Sequence, residues 1–233
     1  MRDERVVILA GLLVNYSVHV RPGDRVAIRG STAAAPLIKF IVANVLQAGG
    51  HPYLMANLPG LDPVFYQFAS PDQLIHVPER IRHVFENYEV IISIMAEKNT
   101  RALTSVLPEK IAQRERAFEG IWSTFLARAA KGELRWTVTL FPTEAHAQDV
   151  EMNLEEYENF VYNACMPDMD DPVGFWKNFS SRQEKIIEWL NGKEDIHVVG
   201  AETDLRLSVK GRRFINCDCH ENVPDGEIFT GPV

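Results

Sequence analysis

An open α/β fold is what this sequence predicts: a mainly parallel sheet flanked by helices, followed by the first strands of a second domain. Three observations predict it. Short apolar, strand-like runs alternate with amphipathic helical stretches as far as Phe141, the pattern of a sheet crossed by helices. The run "EVIISIMA" is almost continuously apolar, as a parallel strand covered on both faces must be. From residue 194 onward the chain changes to short alternating runs, which read as strands. We therefore expect residues 1–193 to form an N-terminal α/β domain and residues 194–233 to begin a second one.

The elements follow in order. "VVILAGLLV" near the N-terminus is too short to span a bilayer, which takes about 20 apolar residues, and it runs into Asn15, Tyr16 and Ser17 without a small-residue cleavage site. It reads as a buried first helix. "DRVAIRG" is a strand, and "PLIKFIVANVLQAGG" is a helix, with Leu37, Ile38, Ile41, Val42, Val45 and Leu46 at helical spacing. Pro36 suits its first turn, and Gly49 and Gly50 suit its end. "HPYLMA" is the next strand, and Ser70 and Pro71 open helical stretches interrupted near Pro78. "LPEKIAQRERAFEGIWSTFLARAAKG" is a long amphipathic helix stopped by Gly132, and "LRWTVTLF" is a further strand. After Pro142 two helices are expected, one with Tyr157, Phe160 and Val161 inward and one with Ile186, Ile187 and Leu190 inward. "DIHVVGAE", "DLRLSV" and "RRFINC" then read as strands, the second pointing Leu205, Leu207 and Val209 inward.

Composition narrows the partners. With a formal net charge of -8, the chain lacks the basic stripe that nucleic acid or an anionic membrane requires, so neither is an expected partner. Three cysteines, Cys165, Cys217 and Cys219, do not make a disulfide framework in 233 residues; a reducing, cytoplasmic compartment is expected.

Most motifs carry bland readings. The turn "GSTAAAP" after Gly30 has neither the dinucleotide-binding glycine pattern nor a P-loop ending, so it is an ordinary turn, and no cofactor-binding residue is assigned. "CDCHEN" offers Cys217, Cys219 and His220, all atoms zinc accepts, but without C-x-x-C pairing. The remaining histidines are scattered, "LEEYEN" is a solvated helix face, and "MPDMDD" is a loop. No G-x-S-x-G elbow occurs, and no catalytic residue is assigned. Glu227 stands apart. Pro224, Asp225 and Gly226 form a strong turn signal, so Glu227 should open a short strand whose rigid backbone suits a metal ligand. A lone glutamate is otherwise surface decoration.

The order of segments is more specific than any single motif. "WTVTLFPTEAHAQDVEMNLEEYENFVYNAC", "DPVGFW", "TDLRLSVKGRRF" and "NVPDGEIFTGP" together resemble the aminopeptidase T and aminopeptidase S family of metallopeptidases. "RPGDRVAIRG" and "LIKFIVANVLQAGGHPYL" resemble its opening. The resemblance implies an intracellular, homodimeric enzyme that removes N-terminal residues from peptide substrates with a pair of divalent metals, zinc or cobalt. It implies that Glu227 is a metal ligand at the start of the catalytic domain. It also implies that the other ligands come from sequence beyond the equivalent of Val233, so this chain is expected to be inactive alone. The alternative is a stand-alone binding or interaction module without catalysis, and a weaker one is a nucleotide-binding protein using the "GSTAAAP" turn.

Overall fold

The structure is a computed structural model, which describes residues 3–231. Its centre is a five-stranded sheet in the order β2-β1-β3-β4-β8, built from β1 (Arg25–Ser31), β2 (His51–Asn57), β3 (Val90–Met95), β4 (Arg135–Leu140) and β8 (Asn222–Val223). Every pairing within it is parallel. The sheet is covered on both faces, as the apolar run of β3 requires. Val26 and Ile28 of β1, with Val90, Ile92 and Ile94 of β3, face one core. Ala27 and Ile91, the intervening residues, face the other. A strand alternates its side chains, so the consecutive buried residues Val90, Ile91 and Ile92 require a layer on either side.

The larger core is filled by α1 (Glu4–Leu12), the wide helical turn Leu13–Ser17, α2 (Ala35–Gln47), α8 (Leu154–Cys165) and the first turns of α9 (Pro172–Leu190). The smaller core lies under α5 (Glu79–Asn87) and α6 (Pro108–Ala130). The expected first helix is therefore buried, and no helix of the described residues is long and apolar enough to cross a membrane. Two short helices, α3 (Leu61–Phe68) and α4 (Pro71–Ile75), lead into α5. The first was not expected from the sequence, and it buries none of its own residues. α7 (Glu144–Asp149) follows β4.

Three expected faces are corrected. In α8 the buried stripe is Tyr157, Val161, Tyr162 and Cys165, and Phe160 is 61% exposed. The stripe is rotated because Tyr162 and Cys165 dock on α1 and the sheet, and apolar character alone cannot fix that rotation. In α9, Trp176, Gln183 and Ile187 are buried while Ile186 is 50% exposed. There a polar side chain takes an inward place because it bonds to a strand. Beyond α9, β5 (Asp195–Gly200) and β6 (Thr203–Ser208) pair antiparallel as a separate two-stranded sheet. Val209 is buried, but Leu205 is 47% exposed, since among the described residues no second layer covers that ribbon's faces.

β7 (Ile215–Cys217) and β9 (Glu227–Phe229) make a second small antiparallel sheet, and β8 lies between them in sequence. β8 leaves that small sheet to become an edge of the central one. The amide of Val138 donates to Glu221 O at 2.8 Å, and Thr139 Oγ1 donates to Val223 O at 2.9 Å. Val223 and Cys219 are buried in the larger core.

Candidate metal centre

β8 runs parallel to β4, so the chain leaves it at the C-terminal end of the central sheet. Open α/β sheets hold their ligands at that end. Pro224, Asp225 and Gly226 then turn the chain, and Glu227 opens β9, as the turn chemistry predicted. Gly226 is required twice. Its φ is +127°, which side-chain-bearing residues avoid, and a Cβ there would sit 3.3 Å from the Phe179 ring.

Register brings the donors together. In the β7–β9 pair Cys217 lies opposite Glu227, and directly opposed residues put their Cβ atoms on one face about 5 Å apart. Asp225 enters from the turn. The Cys217 Sγ, an Asp225 oxygen and a Glu227 oxygen all lie within 4.8 Å of one another. Glu227 is exposed, while Cys217 and Asp225 are half-buried. The Asp225 carboxylate is oriented by the Gly226 amide at 3.1 Å and the Cys219 amide at 3.3 Å.

Helix α9 holds both strands. Gln183 Nε2 donates to the Glu227 carbonyl at 2.7 Å, and Asn216 Nδ2 donates to Glu184 Oε1 at 2.8 Å and to Ser180 O at 3.2 Å. Asp218 accepts from Ser180 Oγ at 2.6 Å, lies 2.6 Å from His220 Nδ1, and its carbonyl accepts from Tyr16 Oη at 3.2 Å. The donors therefore sit on a backbone fixed from a neighbouring helix, as metal ligands need.

The electrostatics suit a cation. Burial, with the negative charges of Asp225, Glu227, Glu221 and Asp218 around it, pushes the Cys217 thiol up to about 11. Burial also raises Asp225, with Glu221 and Glu227 adding repulsion. A bound cation reverses both effects, because it favours thiolate and carboxylate. Burial works against ionisation of Asp218 too, but hydrogen bonds from His220 and Ser180 outweigh it and hold the carboxyl below its usual range. Its hydrogen bond in turn raises His220. These two groups satisfy each other and do not point to a ligand. Sulfur and oxygen donors converging on one point fit a divalent ion of zinc's class. Three donors make part of one coordination shell.

The structure separates the "CDCHEN" residues. Cys219 is fully buried in the larger core at φ +75°, and His220 stacks on Tyr16 with centroids 4.8 Å apart. Neither joins Cys217, so the ligand atoms of that stretch are not brought together. What the sequence did not show is the convergence of Asp225 and Cys217 on Glu227. Asp225 reads as a turn residue, and the strand register that places Cys217 has no local signal. Burial pushes Cys165 up to about 12, as expected for a core thiol. Two of the acids of "MPDMDD" serve backbone: Asp168 accepts from the Asp170 and Asp171 amides, and Asp171 caps α9. Gly30 has a packing reason, since a Cβ there would lie 3.1 Å from Ile94 of the neighbouring strand, and Ser31 itself caps the turn that follows.

By sequence the chain is of the metallopeptidase class. It belongs to the peptidase family M29, thermophilic metalloprotease, whose family model matches residues 2–233. It is 25% identical over 254 aligned positions to Aminopeptidase 2 of Geobacillus stearothermophilus, covering 96% of this chain and 59% of that protein. The fold matches that of wild-type AmpT from Thermus thermophilus with a TM-score of 0.80 at 18% identity, over 98% of this chain and 61% of that one. The chain thus spans about three-fifths of the length of these relatives.

Proposed function

We propose that this chain is the N-terminal portion of a metal-dependent aminopeptidase, an enzyme that hydrolyses the N-terminal residue from peptide substrates. Membership of a metalloprotease family over residues 2–233 carries the class. The convergence of donors on Glu227 at the C-terminal end of the sheet supports a site there. In this reading residues 1–193 are a scaffold domain, residues 194–233 begin the catalytic one, and Glu227 binds one of a pair of zinc or cobalt ions, with Asp225 and Cys217 beside it. The enzyme works as a cytoplasmic homodimer. With a net charge of -8, nucleic acid is not among its partners.

Bound metal would supply an activated water and polarise the scissile carbonyl. The chain's own residues hold position: α9 anchors β7 and β9 through Asn216 and Gln183, and Gly226 lets the turn pass close to Phe179. Three converging donors among the described residues are fewer than two cations need, so this chain by itself is expected to be inactive. The test is hydrolysis of a leucine-terminated chromogenic amide with added zinc or cobalt, together with zinc calorimetry on the same protein and on Glu227→Ala. We expect zinc binding to weaken roughly tenfold or more in the variant and no turnover in either. Metal-dependent turnover lost in the variant would overturn the inactivity, and equal zinc binding in both would remove Glu227 from the site.

A further inference from the structure

Between the central sheet and α6 lies a cavity of about 400 Å³ whose lining shares no residue with the cluster around Glu227. Its floor is one cross-strand row. Arg29 of β1 pairs with Ser93 of β3, and Ser93 pairs with Val138 of β4, so three adjacent strands line the space at one level. Trp122 and Phe125 of α6 face them, and Trp136 stands two residues back along β4. The row lies in the C-terminal half of each parallel strand, towards the end where such sheets hold ligands.

Arg29 is the anomaly. Three other arginines around the sheet are matched: Arg25 pairs with Glu89, Arg135 with Asp24, and Arg128 donates to the carbonyls of Phe85 and Tyr88. Among the described residues the Arg29 guanidinium has no hydrogen-bond acceptor and no carboxylate, and what it meets is the Phe85 ring, 5.3 Å from the centroid. Withdrawal from water pulls its pKa below the ordinary arginine value. A guanidinium taken out of water without an anion is costly, and its planar fork matches a carboxylate through two parallel hydrogen bonds. Apart from Ser93, the remaining walls are aromatic and aliphatic. Dianionic phosphate would leave one charge uncompensated against them, whereas a single carboxylate on an apolar body meets both the cation and the walls. The volume lies in the range of small-molecule sites.

We propose that this cavity binds a small monocarboxylate with an aromatic or branched apolar body, its carboxylate on Arg29 and its body against Trp122, Phe125 and Trp136. The site is separate from the metal centre and does not depend on the peptidase reading. The test is isothermal calorimetry of this chain with 4-phenylbutyrate, beside 4-phenylbutanol and inorganic phosphate. Saturable binding of the acid is expected, weaker by roughly tenfold or more for the alcohol and undetectable for phosphate. Arg29→Met should lose the acid to a similar degree while keeping its Tm, since it removes an unpaired charge. Ser93→Leu, which fills the space beside the guanidinium and leaves the charge in place, should also abolish binding. No saturable heat with the acid would overturn the proposal, as would equal affinity for acid and alcohol, phosphate binding as well as the acid, or undiminished binding by folded Arg29→Met. The acid-against-alcohol comparison decides even if neither variant folds.

Discussion

At the scale of single residues, Gly226 and Glu89 show two ways in which one side chain, or the lack of one, governs this fold. Gly226→Ala must adopt φ near +127° and push its methyl to 3.3 Å from the Phe179 ring. We expect a loss on the order of 1–3 kcal/mol, read as a lowered midpoint in urea unfolding, with weaker zinc binding because the turn carries Asp225 and Glu227. Glu89 accepts from Arg25 Nε at 3.1 Å and from the Arg25 amide at 2.8 Å. The hydrogen bond from Arg25, opposed by partial burial, lowers its carboxyl to about 2. A depressed folded pKa gives stability that is fully present above the unfolded value, about 4.3 for glutamate, and is lost as pH falls towards 2. The Arg25 and Glu89 side chains are 45% and 32% exposed, so solvent screening limits the gain to about 1 kcal/mol or less. Glu89→Gln should therefore be slightly less stable than the parent at pH 7, with the difference shrinking as pH falls through 2 and vanishing below it. A difference that grows on acidification would refute the assignment. The Pro-Asp-Gly-Glu turn was legible from sequence because turn chemistry is local. Arg29 was not, since nothing in "RVAIRG" says which anion, if any, will stand beside it.

At the scale of elements, α9 is both core helix and clamp. Its inward face carries Gln183 where apolar periodicity placed Ile186, because Gln183 donates to the Glu227 carbonyl. On β7, Asn216 Nδ2 reaches Ser180 and Glu184 of the same helix. Asn216→Ala removes these bonds. The expected cost is about 1–2 kcal/mol of stability and a roughly tenfold weaker zinc affinity by calorimetry, because the strand bearing Cys217 is no longer held. Unchanged zinc affinity would show that β9 alone orders the donors. The helices and strands themselves were largely readable, since apolar spacing and end signals such as Pro36 and Gly132 are written within each element. α3 was missed for the complementary reason: it buries nothing, so the inward stripe that marks a helix has little to say there.

At the scale of the molecule, the chain beyond α9 is divided in its allegiance. β5 and β6 form an exposed ribbon with Val199 69% accessible, while β8, later in sequence, is built into the central sheet and its core. Local opening follows burial and not sequence position. Hydrogen exchange should accordingly find the Val223 region protected nearly as well as β4, and the β5–β6 amides exchanging orders of magnitude faster. Equal protection of the two regions would mean that a further layer covers the ribbon in solution.

The sequence by itself determined the class of fold, the strand–helix alternation that builds the sheet, and the position of Glu227 at the head of a strand. Each of these depends on residues near one another in the chain, through periodicity, capping and turn chemistry. The tertiary structure alone decided which face of α8 and α9 turns inward, that β8 returns to the central sheet, that Cys217 meets Asp225 and Glu227 while Cys219 does not, and that Arg29 stands beside a cavity with no carboxylate partner among the described residues. These depend on register and packing between segments far apart in sequence, where the free energy comes from burial and hydrogen bonding that no single segment contains.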